Sequence, residues 1–287
     1  MEPRLQRRVQ RYGWDLAACA YESLWGAQLA PAQAEVMACA RLRPGEHVLD
    51  VACGTGATAI EAAASVSPGG RVVGVDLSGR MVEAARARAQ QEHCLNARFE
   101  RMDAERLELP DDSFDAVLCA LGLMYVPHPE RAIAEMRRVL RRQGRIVLAV
   151  WGERRHCGWA ELFPIVDAEV ASEVCPLFFR LGQGGVLAEL CVAAGLEVTS
   201  QSSITTGLSY HDADEACDAA FIGGPVALAW SRLDAVARTR VRSRYLESIA
   251  AWRQGRCFRI PAEFVVVAAS ARSSYRAGSA AGPATDE

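Results

Sequence analysis

The stretch Val48-Leu49-Asp50-Val51-Ala52-Cys53-Gly54-Thr55-Gly56 is an apolar run that meets an acid, passes through a glycine turn and opens into an alanine-rich segment from Ala57. Apolar residues in short continuous runs mark strands covered on both faces. Gly54 and Gly56 lack a Cβ, so the backbone can turn tightly there and a ligand can approach closely. The pattern predicts a strand, a ligand-cradling loop and a helix, in that order.

Outward from this stretch, a strand is expected at 47–53 and a helix at 56–65, after which Pro68-Gly69-Gly70 turns into a strand at 71–77. Ser78 caps a helix reaching about residue 93. Strands follow at 97–103 and 114–120, a helix at 129–142 and, after Gln143-Gly144, a strand at 145–151. Strand and helix in alternation build a parallel sheet wound on both faces, the α/β class. Ahead of it, residues 4–41 are alanine-rich, with Pro31 placed to start a second helix and Pro44-Gly45 to end the segment; two helices are expected. Beyond Trp151 the rhythm loosens into helical insertions at 157–176 and 211–254, a helix at 183–194, and strands at 197–205 and 264–269 that can form an antiparallel edge. The tail at 270–287 is small and polar, with Gly and Pro, the composition of a disordered segment.

Two kinds of nucleotide ligand suit the glycine turn. Gly54-Thr55-Gly56-Ala57-Thr58-Ala59 satisfies the dinucleotide fingerprint, in which a helix N-terminus faces a pyrophosphate. Asp50 argues against that ligand, because a carboxylate just ahead of the turn repels pyrophosphate and attracts the ammonium of a methionine moiety. S-adenosylmethionine therefore fits better than NAD.

A chain of 287 residues with 51% apolar and 23% charged residues has material for one substantial core. Its formal net charge of −3 offers no basic field for nucleic acid. All 32 basic residues are arginine, which removes Schiff-base lysines, lysine bases and the phosphate-loop lysine. The 10 cysteines form no C-x-x-C pair, so they read as small buried apolar residues of a reducing compartment. No stretch approaches the roughly 20 apolar residues of a bilayer span. A cytoplasmic protein without stable membrane insertion is expected; its oligomeric state is left open.

From about His47 to Trp151 the chain resembles the class I S-adenosylmethionine-dependent methyltransferases, in particular the branch similar to ubiquinone/menaquinone-biosynthesis enzymes. The resemblance rests on the opening stretch, on Gly74-Val75-Asp76-Leu77-Ser78-Gly79-Arg80-Met81 and on Met102-Asp103-Ala104. Leu109-Pro110-Asp111-Asp112-Ser113-Phe114-Asp115-Ala116-Val117 and Glu135-Met136-Arg137-Arg138-Val139-Leu140-Arg141-Arg142-Gln143-Gly144 complete it. It implies a Rossmann-like, doubly wound, seven-stranded mostly parallel sheet with an antiparallel last strand. One methyltransferase domain would cover 1–269, with a helical lid at 1–43, a cofactor core at 45–151 and substrate-side insertions with the final strands at 152–269.

Residue roles follow from the same resemblance. Asp50 with the Gly54/Gly56 loop would hold the methionine portion of S-adenosylmethionine, with Ala52 standing where some relatives carry a glycine. Asp76 would accept from both ribose hydroxyls, Asp103 would take the adenine amino group and Ala104 would offer its N–H to the ring. Met81 would pack on adenine, and Leu77 and Ala120 would complete the cofactor site. The chemistry agrees: a carboxylate accepts and never donates, which suits a diol or an amine, and ligands of open α/β sheets bind at the strand ends where these acids fall. A single such acid is as readily a turn or helix cap; three at matching strand ends are not.

Of the Phe, Trp and Tyr residues, only Phe99, Phe114 and Tyr125 lie between residues 26 and 150. The aromatic-rich flanks therefore point to a substrate pocket, with Tyr21, Trp25, Leu121, Tyr125 and Phe179 as its candidate residues and other rings gluing the added helices to the sheet. Tyr21 and Tyr125 are placed in the reaction chamber, where rings add a cation–π contribution of about 0.5–2 kcal/mol next to a sulfonium. No catalytic base and no metal is assigned: His128 reads as a cap, His47 and His93 as structural, and His156 and His211 as weak candidates. The arginines of 232–244 read as a solvated helix face. The expected enzyme is a small-molecule methyltransferase yielding S-adenosylhomocysteine. Its rivals are a protein that uses S-adenosylmethionine without methylating, as in a cyclisation, and, further off, a nicotinamide oxidoreductase.

Overall fold

The computed structural model describes residues 2–170, 175 and 178–271. A long helix α1 (Pro3–Ala40) precedes β1 (His47–Val51), α2 (Ala57–Ser65), β2 (Arg71–Asp76), α3 (Gly79–Gln91), β3 (Ala97–Arg101) and β4 (Phe114–Ala120). Then come α4 (Pro129–Val139), β5 (Leu140–Trp151), α5 (Leu162–Val170), α6 (Val186–Ala193) and β6 (Leu196–Tyr210). Helices α7 (Ala213–Phe221), α8 (Ala227–Arg232) and α9 (Ala235–Ser248) lead into a two-residue strand β7 (Arg253–Gln254) and β8 (Cys257–Ala271).

The sheet order is β3-β2-β1-β4-β5-β8-β6, with β7 added on β8. Strands β1 to β5 are parallel. Strand β8 runs antiparallel between β5 and β6, so the seven-stranded arrangement with an antiparallel last strand is present. Valine and leucine side chains of β1, β4 and β5 are sealed from solvent on both faces, as continuous apolar runs require. The change of strand order at β1/β4 opens a crevice at the carboxyl ends of the parallel strands.

Several boundaries differ from the sequence expectation. Residues 3–40 form one helix rather than two, with Pro31 inside it. Proline removes one helical hydrogen bond, but Leu29, Ala32, Val36 and Ala40 continue the buried face of Ala17 and Trp25 through it, and tertiary burial carries the helix on. Helix α4 stops at Val139 instead of 142, and Arg141 turns back to pair with Asp115 at 2.7 Å. The strand expected at 145–151 accordingly starts at Leu140, with a register shift opposite Phe114 and Ala116 and Gln143 in the left-handed region.

Strands β6 and β8 are each 15 residues long, far beyond the 197–205 and 264–269 expected. Their distal halves carry α7 to α9. The helical insertion at 211–254 is built from three helices, and the one at 157–176 holds α5 among its described residues; 171–174, 176 and 177 lie outside them. Ser270 and Ala271 of the supposed disordered tail pair with Arg145 and Leu196 as part of β8, and the rest of that tail lies outside the described residues.

Candidate functional site

A cavity lies at the carboxyl ends of β1, β2, β4 and β5. Its roof is one face of α1, from which Arg7, Gln10, Trp14, Tyr21, Trp25 and Leu29 project at helical spacing. Among the residues named from sequence, Ala52, Gly54, Asp76, Leu77, Met81, Asp103, Ala104 and Ala120 line it together with Tyr21, Trp25, Leu121 and Tyr125. Asp50, Gly56 and Phe179 do not line it. A Cβ on Gly56 would sit 3.0 Å from Ala85 and 3.2 Å from Phe99, so that glycine serves the packing of the loop on α3 and β3. Phe179 is buried with Phe163, Phe178 and Trp159, where it belongs to the core of the insertion.

Backbone geometry at the two central strand ends is unusual. Ala52, after β1, has φ 57 and Leu121, after β4, has φ 66. Side chains other than glycine pay about 1–3 kcal/mol for such conformations, which persist where a site needs the turn. Gly122 explains how the two turns meet: a Cβ there would fall 2.2 Å from the Cβ of Ala52.

Asp76 ends β2 and is fixed from below by two backbone donors. Gly54 N–H donates to Oδ2 at 2.9 Å and Ser78 N–H to Oδ1 at 2.8 Å, leaving further lone pairs for a ligand in the cavity. Burial pushes its carboxyl up to about 6 despite those two donors. Asp50 is 1% exposed and neither of its oxygens has a hydrogen-bond partner among the described residues. Burial first and the nearby Asp76 second raise it to about 8. Two acids close together without a compensating cation form a site that favours a cationic guest and opposes a phosphate.

Asp103 lies at the far end of the same wall. Its Oδ1 accepts from Glu105 N–H at 2.9 Å and its Oδ2 is 3.2 Å from Arg7 Nε of the roof helix. Arg7 also pairs with Glu105. Along the roof, Asp15 Oδ1 accepts from Ser78 Oγ at 2.6 Å, and Glu22 Oε2 accepts from Thr55 Oγ1 at 2.6 Å. One helix is thus tied to three separate points of the acidic lining.

The rest of the lining is rich in aromatic rings. Trp14 meets Tyr21 edge-on at 5.7 Å and Tyr125 at 5.0 Å, while Trp25 meets Trp151 and Trp159 at 6.1 Å each. Burial raises both the Tyr21 and the Tyr125 hydroxyls, so each keeps its proton near neutral pH. The charged lining residues are Arg7, Asp76 and Asp103; none is histidine, cysteine or glutamate.

Other sequence candidates lie elsewhere. His128, His156 and His211 sit beside Glu130, Glu263 and Glu215 away from the cavity. Cys53 and Cys119 are buried, and burial raises their thiols, Cys119 to about 12. No group of His, Cys, Asp and Glu among the described residues could hold a metal. Sequence reasoning missed Arg7, Gln10 and Trp151 as lining. The first two share the 3- and 4-residue spacing of Trp14, Tyr21 and Trp25, a helical-face signal that was available.

Residues 48–144 match a family described as a methyltransferase domain. The ubiquinone/menaquinone biosynthesis C-methyltransferase of Pseudomonas fluorescens is 42% identical over 108 residues, 37% of this chain and 42% of that protein. The demethylmenaquinone methyltransferase of Listeria welshimeri is 33% identical over 129 residues, 45% of this chain and 55% of that protein. The chain thus spans about half the length of the curated relatives it matches. Among solved structures, the YcgJ protein of Bacillus subtilis superposes with a TM-score of 0.60 at 20% identity, over 85% of this chain and 100% of that one, a likeness of fold.

Proposed function

We propose that this chain, whose residues 48–144 match a methyltransferase domain, is a class I S-adenosylmethionine-dependent methyltransferase that moves the methyl group of S-adenosylmethionine to a small, neutral, largely apolar acceptor held beneath α1. The observation that carries this reading is a single cavity lined both by carboxylates at strand ends and by uncharged aromatic rings from α1 and the flanking segments.

The acidic lining suits the cofactor. Asp76 has lone pairs left for the ribose hydroxyls, Asp103 for the adenine amino group, and Ala104 has a backbone N–H for the ring. Met81 offers an apolar face, and Ala52, Gly54, Leu77 and Ala120 shape the wall around them. The carboxyl of Asp50, kept protonated by burial in the ligand-free chain, ionises more readily against a cation bound across that wall and so favours one. When bound, the cofactor supplies an electrophilic methyl on a sulfonium.

What the chain itself does is positional. Trp14, Tyr21, Tyr125 and Trp151 exclude water and hold the acceptor against the cofactor, and alignment of this kind supplies roughly 7–11 kcal/mol of a barrier. The protonated phenols of Tyr21 and Tyr125 contribute ring faces and hydrogen-bond donors rather than bases. The names of the relatives make ring-containing acceptors of the quinone type the first to try. Incubation with methyl-labelled S-adenosylmethionine and a panel of such compounds is the test. Labelled product and S-adenosylhomocysteine in equal amounts support the reading, whereas an unlabelled, rearranged product without S-adenosylhomocysteine favours a non-methylating use of the cofactor.

A further inference from the structure

Helix α1 has a second face that the cavity does not use. Leu5, Tyr12 and Leu16 are 40%, 45% and 48% exposed, and they account for three of the seven large hydrophobic residues found exposed among the described residues. At 100° per residue they share one narrow stripe, and Arg4, Arg8 and Arg11 lie along one flank of it. The guanidinium of Arg11 lies over the Tyr12 ring at 4.5 Å. None of these three arginines makes an ion pair within the described residues, unlike Arg7 one position away, which turns inward to Asp103 and Glu105. The acids of this half of the helix are committed too: Asp15 to Ser78 and Glu22 to Thr55 and Arg88, which leaves Glu2 at the very start.

We propose that this outward face of α1 docks on an anionic membrane surface. An apolar stripe flanked by unpaired cations is the pattern of a helix lying in the lipid headgroup region, with leucine and tyrosine entering the interface and arginines reaching the phosphates. The unpaired positive charge selects lipid over a second copy of this chain, because stacking two such faces would oppose six guanidiniums. Docking of this kind is peripheral, in keeping with the finding that no helix among the described residues is long and apolar enough to cross a membrane. It also places the lid helix, whose inner face roofs the cavity, directly on the lipid.

Co-sedimentation of the full chain with lipid vesicles tests this. The chain is expected to partition onto phosphatidylcholine vesicles containing about a third phosphatidylglycerol, to ignore pure phosphatidylcholine vesicles and to be released by high salt. Arg4→Gln, Arg8→Gln and Arg11→Gln combined should weaken partitioning at least about tenfold, and Leu5→Ser with Leu16→Ser should abolish it. Both variants should bind S-adenosylhomocysteine as the parent does, which shows that they are folded. Equal binding to neutral and anionic vesicles, no partitioning, or unchanged partitioning of the variants would overturn the proposal. So would self-association of the chain in solution that Leu16→Ser dissolves.

Discussion

Under the proposed function, Asp76 and Asp50 divide the work of one acidic site: the first accepts from the ligand, and the second, protonated in the ligand-free chain, ionises against a bound cation. Removing Asp76 as alanine deletes an acceptor worth about 1.5–3 kcal/mol per charged hydrogen bond. The affinity for S-adenosylhomocysteine should fall by roughly ten- to hundredfold, as read by calorimetry. Asp50 titrates near 8 in the folded chain against about 3.9 when unfolded. The folded state therefore holds the extra proton, and the contribution of this group is fully present below about pH 4 and lost as pH rises through about 8. Thermal unfolding of the ligand-free chain should show a decline in stability over that window. Asp50→Asn, which keeps the shape and cannot ionise, should flatten it; a variant with the same slope would assign the decline to another group. These two acids were legible from residue type and place alone, but the sequence carried no sign that Asp50 would be sealed behind the wall while Asp76 faced the cavity. That difference depends on how β1 is flanked by β2 and β4.

At the scale of elements, α1 brings its polar and aromatic side chains over the strand ends that carry the acids. Its tie to the glycine loop, Glu22 to Thr55, is a charged hydrogen bond of 2.6 Å. Thr55→Val should release it, raising amide exchange over the first half of α1 and weakening S-adenosylhomocysteine about fivefold or more. The meeting of the β1 and β4 turns is equally specific: Gly122→Ala puts a methyl 2.2 Å from the Ala52 methyl. It should destabilise the chain by about 1–3 kcal/mol through overpacking, as read by denaturant unfolding. Strand-helix alternation made β1 to β5 readable because each strand is a short apolar run bounded by turn residues. Helix α1 was misjudged at Pro31 because local propensity argues for a break and only the buried face of Leu29, Ala32 and Val36 overrides it. The distal half of β8 was missed although Phe258, Ile260, Ala262 and Phe264 alternate with less buried neighbours. Its partner β6 is distant in sequence, from 48 residues for Tyr210 opposite Phe258 to 75 for Leu196 opposite Ala271.

For the molecule as a whole, the sheet order brings the stretches around Gly54, Asp76 and Asp103 together at the carboxyl ends of neighbouring strands, while those around Asp112 and Arg141 lie at the amino ends. The aromatic lining was legible only in part, through Tyr21, Trp25 and Tyr125. Trp14, Tyr125, Trp151 and Trp159 come from four separated segments, and no spacing within any one of them announces that they converge; Phe179, equally aromatic, went to the core instead. The most direct measurement of the central claim is calorimetric titration of the intact chain and its Asp76→Ala variant with S-adenosylhomocysteine, with NAD as control. The account predicts one site on the intact chain, an affinity at least about tenfold weaker in the variant and no heat from NAD. Equal affinity in the two proteins, or preferential binding of NAD, would contradict it.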